Sequence, residues 1–119
     1  MEKENIVSIW VGNFENEENF RSYIKEIYDE EGDSSSKFME DFNIDYIDNQ
    51  FQESAYFNEK IKINLLNNAS YAESFLNNLN NDDFKEDNSI ILLYDFEFDK
   101  KIIFKDNVRF IGFFSYKKK

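Results

Sequence analysis

With 119 residues the chain has room for one core, and it reads as a single domain over residues 1–119. Its 14 Phe, 7 Tyr and 1 Trp exclude a disordered chain and point to a core built largely from rings. The absence of His and Cys rules out disulfides, imidazole or thiol nucleophiles and His/Cys zinc sites, and a net charge of −11 weighs against nucleic acid or an anionic membrane as partner.

Ile6-Val7-Ser8-Ile9-Trp10-Val11 is short, rich in β-branched residues and closed by Gly12-Asn13, which reads as a strand. Val7, Ile9 and Val11 on one side, and Ile6 and Trp10 on the other, make it apolar on both faces, as expected of a strand interior to its sheet. Asn16 is a good N-cap, and Glu17 and Glu18 follow where they complement the helix dipole. Phe20, Tyr23, Ile24, Ile27 and Tyr28 then share one helical face, so the spacing predicts an amphipathic helix over 16–29. Residues 30–36 read as a loop, with Gly32 as a stop and serines as caps for a short helix over 37–42.

Ile44-Asp45-Tyr46-Ile47 fits a strand or a turn. Residues 51–66 support a helix through Phe57, Ile61 and Leu65 or a short strand through Ile61, Ile63 and Leu65, and helix is the preferred reading. Ser70-Tyr71-Ala72-Glu73 has the form of a capping box, with Phe75, Leu76 and Leu79 continuing one helical face to Asn80. A polar loop covers 80–88. The stretch 89–98 reads as a strand, apolar on both faces in its first half and then alternating, with Tyr94, Phe96 and Phe98 inward and Asp95 and Glu97 outward. Asp99-Lys100-Lys101 reads as a turn, 108–116 as a last strand antiparallel to the previous one, and Lys117-Lys118-Lys119 as a solvated tail. The expected fold class is α+β, a mostly antiparallel sheet of three to four strands with helices packed on one face.

The charge is unevenly spread. Residues 15–59 hold 14 acidic and 3 basic residues, a net of −11, whereas residues 60–119 sum to +1. Such asymmetry speaks of partners, and it favours a basic protein. Carboxylates are the only available catalytic groups, and with 25 of them no pairing stands out; the three glycines are isolated and form no phosphate loop. The expectation is therefore a binding protein, not an enzyme, with no cofactor and no metal. The alternative is a carboxylate-dependent hydrolase or calcium-binding protein using the 29–53 acidic region. Asp29, Glu31, Asp33 and Glu40 stand at positions 1, 3, 5 and 12 of an EF-hand-like loop, but Ser34 replaces the turn glycine and Ser36 the apolar residue, so an acidic loop is the preferred reading.

Glu40, Asp41, Asp45, Asp48 and Glu53 interleave with Phe38, Phe42, Tyr46 and Phe51. This pattern fits either a solvated face over core aromatics or aromatic anchors inside an acidic rim. The candidate partner-binding residues are Glu30, Glu31, Asp33, Glu40, Asp41, Asp45, Tyr46, Asp48 and Glu53. Trp10, Tyr94, Phe96 and Phe110 read as core.

Five segments carry a family resemblance: Val7 to Phe14, Phe38 to Phe51, Ser70 to Phe75, Ile91 to Phe96, and Phe110-Ile111-Gly112. In this order they resemble the immunity protein 22 family of bacterial polymorphic toxin systems, over nearly the whole chain, with the first block the most specific. The resemblance implies a protein that binds and neutralises a cognate toxin C-terminal domain. Many such toxins are nucleases with basic surfaces, which an acidic inhibitor would cover. Abundant Lys, Asn, Ile and Phe suit a low-GC bacterial genome. No run approaches the roughly 20 apolar residues of a membrane span, and the start MEKENIVSIW lacks the features of a secretory signal. A cytoplasmic monomer or weak homodimer is expected.

Overall fold

The strand expected at Ile6–Val11 forms the middle of the sheet. The computed structural model describes residues 2–99 and 101–118 and extends this strand to Glu2–Gly12 (β1). β5 (Ser89–Phe96) pairs on one side of it and β7 (Val108–Ser115) on the other. β4 (Gln52–Tyr56) and β6 (Phe104–Lys105) form the edges, giving the order β4-β5-β1-β7-β6 with every pairing antiparallel. The α+β class is as expected, but the sheet has five strands. The last strand does not pair with β5, since β1 lies between the two and both run antiparallel to it.

β1 and β5 carry large apolar residues on both faces, so each face must be covered to keep them from water. One face presents Trp10, Ile91 and Leu93 and is covered by α1 (Glu17–Ile24) and α2 (Lys37–Asp41) through Phe20, Tyr23, Phe38 and Met39, then by Phe42, Ile44 and Ile47. The other presents Val7, Ile9, Val11, Ile90 and Leu92 and is covered by Ile61, Leu66, Phe75, Leu79 and Phe84. Cover on two faces corrects the one-sided packing expected from sequence. Trp10 is fully buried, its ring 4.9–5.9 Å from those of Phe38, Phe42, Phe98 and Phe110. Phe110 is only half-buried but packs against the same cluster.

Local signals set the start of α1 but not its end. The Asn16 side chain accepts from the Asn19 N–H at 2.8 Å, and Glu17 and Glu18 occupy the first turn. The helix stops at Ile24, where Lys25 turns extended. Ile27–Tyr28 form a strand (β2) paired with Ser34–Ser35 (β3), and both apolar side chains are exposed. The apolar spacing therefore ran beyond the face that the sheet can bury. α2 begins where the serines predicted, with Ser36 accepting from the Met39 N–H at 3.1 Å.

Residues 51–66 contain no α-helix. A 3-10 turn at Asn49–Phe51 leads into β4, and another follows at Ile63–Leu66. The free edge of β5 offers backbone donors and acceptors that a strand satisfies and a helix does not. Ile44–Ile47 is irregular chain whose two isoleucines reach the core. The capping box expected at Ser70 does not form. Tyr71 is the N-cap residue of α3 (Ala72–Phe75), in left-handed conformation, and no side chain caps this end. A capping box forms instead at Asn80 and Asp83, within the stretch read as loop.

β5 corrects a further detail. Asp95 has φ +56°, and the pairing with β1 shifts between Val7↔Tyr94 and Glu2↔Phe96. Tyr94 consequently packs on one face of the sheet while Phe96 and Phe98 pack on the other. The expected turn at 99–101 falls partly on Lys100, and the tail ends on Lys119; both lie outside the described residues. No helix among the described residues is long and apolar enough to cross a membrane.

Candidate partner-binding surface

The acidic residues of 15–59 divide into those held by the fold and those turned outward. Asp41 belongs to the first kind. Its side chain is only 5% exposed, accepting from the Tyr23 hydroxyl at 3.1 Å and from Lys37 Nζ at 2.7 Å. Burial, then the Asp41 charge, push the Tyr23 hydroxyl well above the usual phenol range. The hydrogen bond to Asp41 raises Lys37. Glu53, on β4, is also engaged: it accepts from the Ser70 N–H at 3.0 Å and from the Ser70 hydroxyl, with the Tyr94 hydroxyl beside it. Burial raises Tyr94, and the Glu53 charge adds to that. Ser70 thus ties α3 to the sheet edge rather than capping the helix.

Glu30, Glu31, Asp33, Glu40, Asp45, Tyr46 and Asp48 are exposed. Glu40 lies on α2, and the others occupy two stretches. The first is the tip of the β2–β3 hairpin, where Asp29 Oδ1 accepts from the N–H groups of Glu31 and Asp33 at 2.9 Å each. Gly32, with φ +88°, supplies the left-handed residue of this turn. The turn gathers carboxylate oxygens of Asp29, Glu31 and Asp33 within 4.8 Å of one another, all exposed. Glu40 is not in that group, and the Asp29 oxygen already serves the backbone, so the turn itself accounts for the spacing. Ile27 and Tyr28, 70% and 64% exposed, flank this tip; placing them on a helix face had hidden them.

The second stretch is residues 43–48. Between it and the end of β5 lies a cleft of about 260 Å³. Ile44, Ile47, Leu93 and Phe96 supply apolar lining, Tyr46 and Phe51 aromatic lining, and Glu2, Asp45 and Asp48 carboxylates. Tyr46 is 72% exposed. Asp95 also borders the cleft, but its carboxylate is committed to the Tyr116 hydroxyl at 2.7 Å, Lys118 Nζ at 2.6 Å and the Asn5 N–H at 2.8 Å. Burial alone would raise Asp95; these three donors outweigh it and hold the carboxyl below the usual range. The sequence did not single out Glu2 and read Phe96 only as core, because β1 and β5 bring the two to the cleft from distant positions.

Among the described residues, no ion pair joins a lysine or arginine of residues 60–119 to one of these outward carboxylates. Among the described residues the ion pairs are Lys3–Glu97, Arg21–Glu17, Lys37–Asp41, Arg109–Asp87 and Lys118–Asp95. Glu26 aside, the carboxylates of 15–59 that are paired find their cations within that same segment.

The surface is thus a charged, aromatic-studded exterior on a packed α+β domain. Residues 7–117 match the family model of Immunity protein 22, and the chain belongs to that family. No curated protein and no solved structure matches it.

Proposed function

We propose that this protein binds and neutralises a cognate toxin domain of a bacterial polymorphic toxin system, in the cytoplasm of the producing cell. Membership of the Immunity protein 22 family over residues 7–117 carries the reading. The partner is a basic protein, and a nuclease fits best, because a surface that grips phosphate is cationic. The outward residues Glu30, Glu31, Asp33, Glu40, Asp45, Tyr46 and Asp48 make the contact. Asp41 and Glu53, occupied internally, contribute to the field rather than to the contact. Excess negative charge steers the encounter, and the docked inhibitor occludes the surface the toxin needs for its substrate.

The test uses the toxin domain encoded beside this chain's gene. Its expression should arrest growth, and co-expression of this protein should restore it. A variant with Glu30, Glu31, Asp33, Asp45 and Asp48 changed to Lys should associate at least about tenfold more slowly at low salt, with a flatter salt dependence. Unchanged association kinetics would place the interface elsewhere. Failure to protect or to bind would remove the reading.

A further inference from the structure

We propose that the cleft between residues 43–51 and the end of β5 is a socket for one arginine side chain of the protein partner. The inference rests on the partner-binding reading and narrows it to one site and one chemistry. At about 260 Å³ the cleft falls just short of the roughly 300–1,000 Å³ of pockets that enclose drug-sized molecules, and its size suits a single side chain.

Its lining has three parts. Ile44, Ile47 and Leu93, all buried, supply apolar surface. Tyr46 and Phe51 stand exposed beside it, 72% and 37%, although neither completes the core. Glu2, Asp45 and Asp48 bring negative charge, and none of them takes part in an ion pair among the described residues. Asp48 is fixed in place, accepting from the Gln50 N–H at 3.0 Å.

Each class of occupant meets these parts differently. A purely apolar side chain would fit the floor but desolvate carboxylates without compensation. An anion would be repelled. Lysine would meet the charge but not the rings as well, since its ammonium is compact and strongly hydrated. Arginine meets all three: its methylene stem covers the isoleucines, its planar guanidinium stacks on Tyr46 or Phe51, and its fork of N–H donors reaches the carboxylates.

The test is a nuclear magnetic resonance titration of the full chain with N-acetyl-arginine amide, N-acetyl-lysine amide and N-acetyl-leucine amide at fixed ionic strength. The arginine amide should move backbone signals of residues 44–48, 51 and 93–96 as one saturating set, with a Kd at least about fivefold below that of the lysine amide. The exposed double change Asp45→Asn with Asp48→Asn should raise the arginine Kd at least about tenfold without changing the melting temperature. A lysine or leucine amide that binds as well, or shifts spread equally over the β2–β3 hairpin, would overturn the socket. This readout needs no toxin, so it decides the socket even where the partner-binding reading fails. Conversely, a partner that binds parent and double variant equally would overturn the socket and leave that reading standing.

Discussion

Ser8→Ala probes a place where a side chain of the central strand serves the backbone of its neighbour. Ser8 is fully buried in β1. Its hydroxyl donates to the Phe96 carbonyl at 2.7 Å and accepts from the Phe98 N–H at 3.0 Å. The positive φ at Asp95 shifts the register of β5 against β1 between Val7↔Tyr94 and Glu2↔Phe96, and Phe98 lies beyond the last of these pairs, so the hydroxyl supplies a bond there that the ladder does not. Removing the hydroxyl takes this partner from both and leaves the Phe98 N–H orphaned. An orphaned buried group costs about 1–3 kcal/mol. Phe98 is sealed from water, whereas Phe96 is only half-buried and still pairs with Glu2, so the expected loss is about 1–3 kcal/mol. A chain of this length changes its midpoint by about 4 °C per kcal/mol, which puts the melting temperature about 4–12 °C lower. Equilibrium urea unfolding followed by fluorescence of Trp10, the single tryptophan and a neighbour of Phe98, reads the effect directly. The slope with urea should not change, because the same surface is exposed. A loss below about 0.5 kcal/mol would refute the assignment of the hydroxyl as a stand-in for ladder bonds.

Asp95 gives a prediction in pH. Its carboxyl is held below its unfolded value of about 3.9, so its contribution to stability is complete above that pH and is lost as pH falls through the folded value. The stability gap between the parent and Asp95→Asn should therefore narrow as pH is lowered from about 5 to about 2; a gap constant over that range would show that the linkage is absent. Gly12→Ala should destabilise by about 1–3 kcal/mol in the same urea assay, since an added Cβ would lie 2.8 Å from the Phe14 ring and 3.3 Å from the Asn107 carbonyl. Full stability in that variant would mean that the ring and the 107 turn yield freely.

The parts of the fold legible in the sequence were those fixed by local chemistry or by dense apolar patterning. The two-faced strand at 6–11, the Asn16 and Ser36 caps and the strand at 89 all follow from residues within a turn of one another. What was not legible depends on long-range pairing. Gln52–Tyr56 is a strand because β5 needs an edge partner, and nothing in QESAY announces that. Ser70 looked like a cap and serves Glu53, 17 residues away. Ile27 and Tyr28 kept helical spacing past the point where the helix had any surface left to bury. The candidate surface was legible as a charge imbalance, because composition alone reveals it. Its division into inward Asp41 and Glu53 and outward Asp45 and Asp48 was not, since it turns on hydrogen-bond partners in other elements. The cleft was invisible for the same reason: Glu2, Asp45 and Phe96 meet only once β1 and β5 have paired.

The central place of β1 has a consequence for biogenesis. Ribosomes make this strand well before both of its neighbours; Ser8 and Phe98, bonded in the folded molecule, are 90 residues apart. A nascent chain therefore carries a bare ribbon, sticky on both sides, until β5 and β7 have emerged. Folding dominated by such distant pairings is slow and exposes the chain to aggregation on the way. Any binding that needs the closed sheet would lag behind translation by the time the sheet takes to form, and a chain cut short of β7 would leave one side of β1 unpaired.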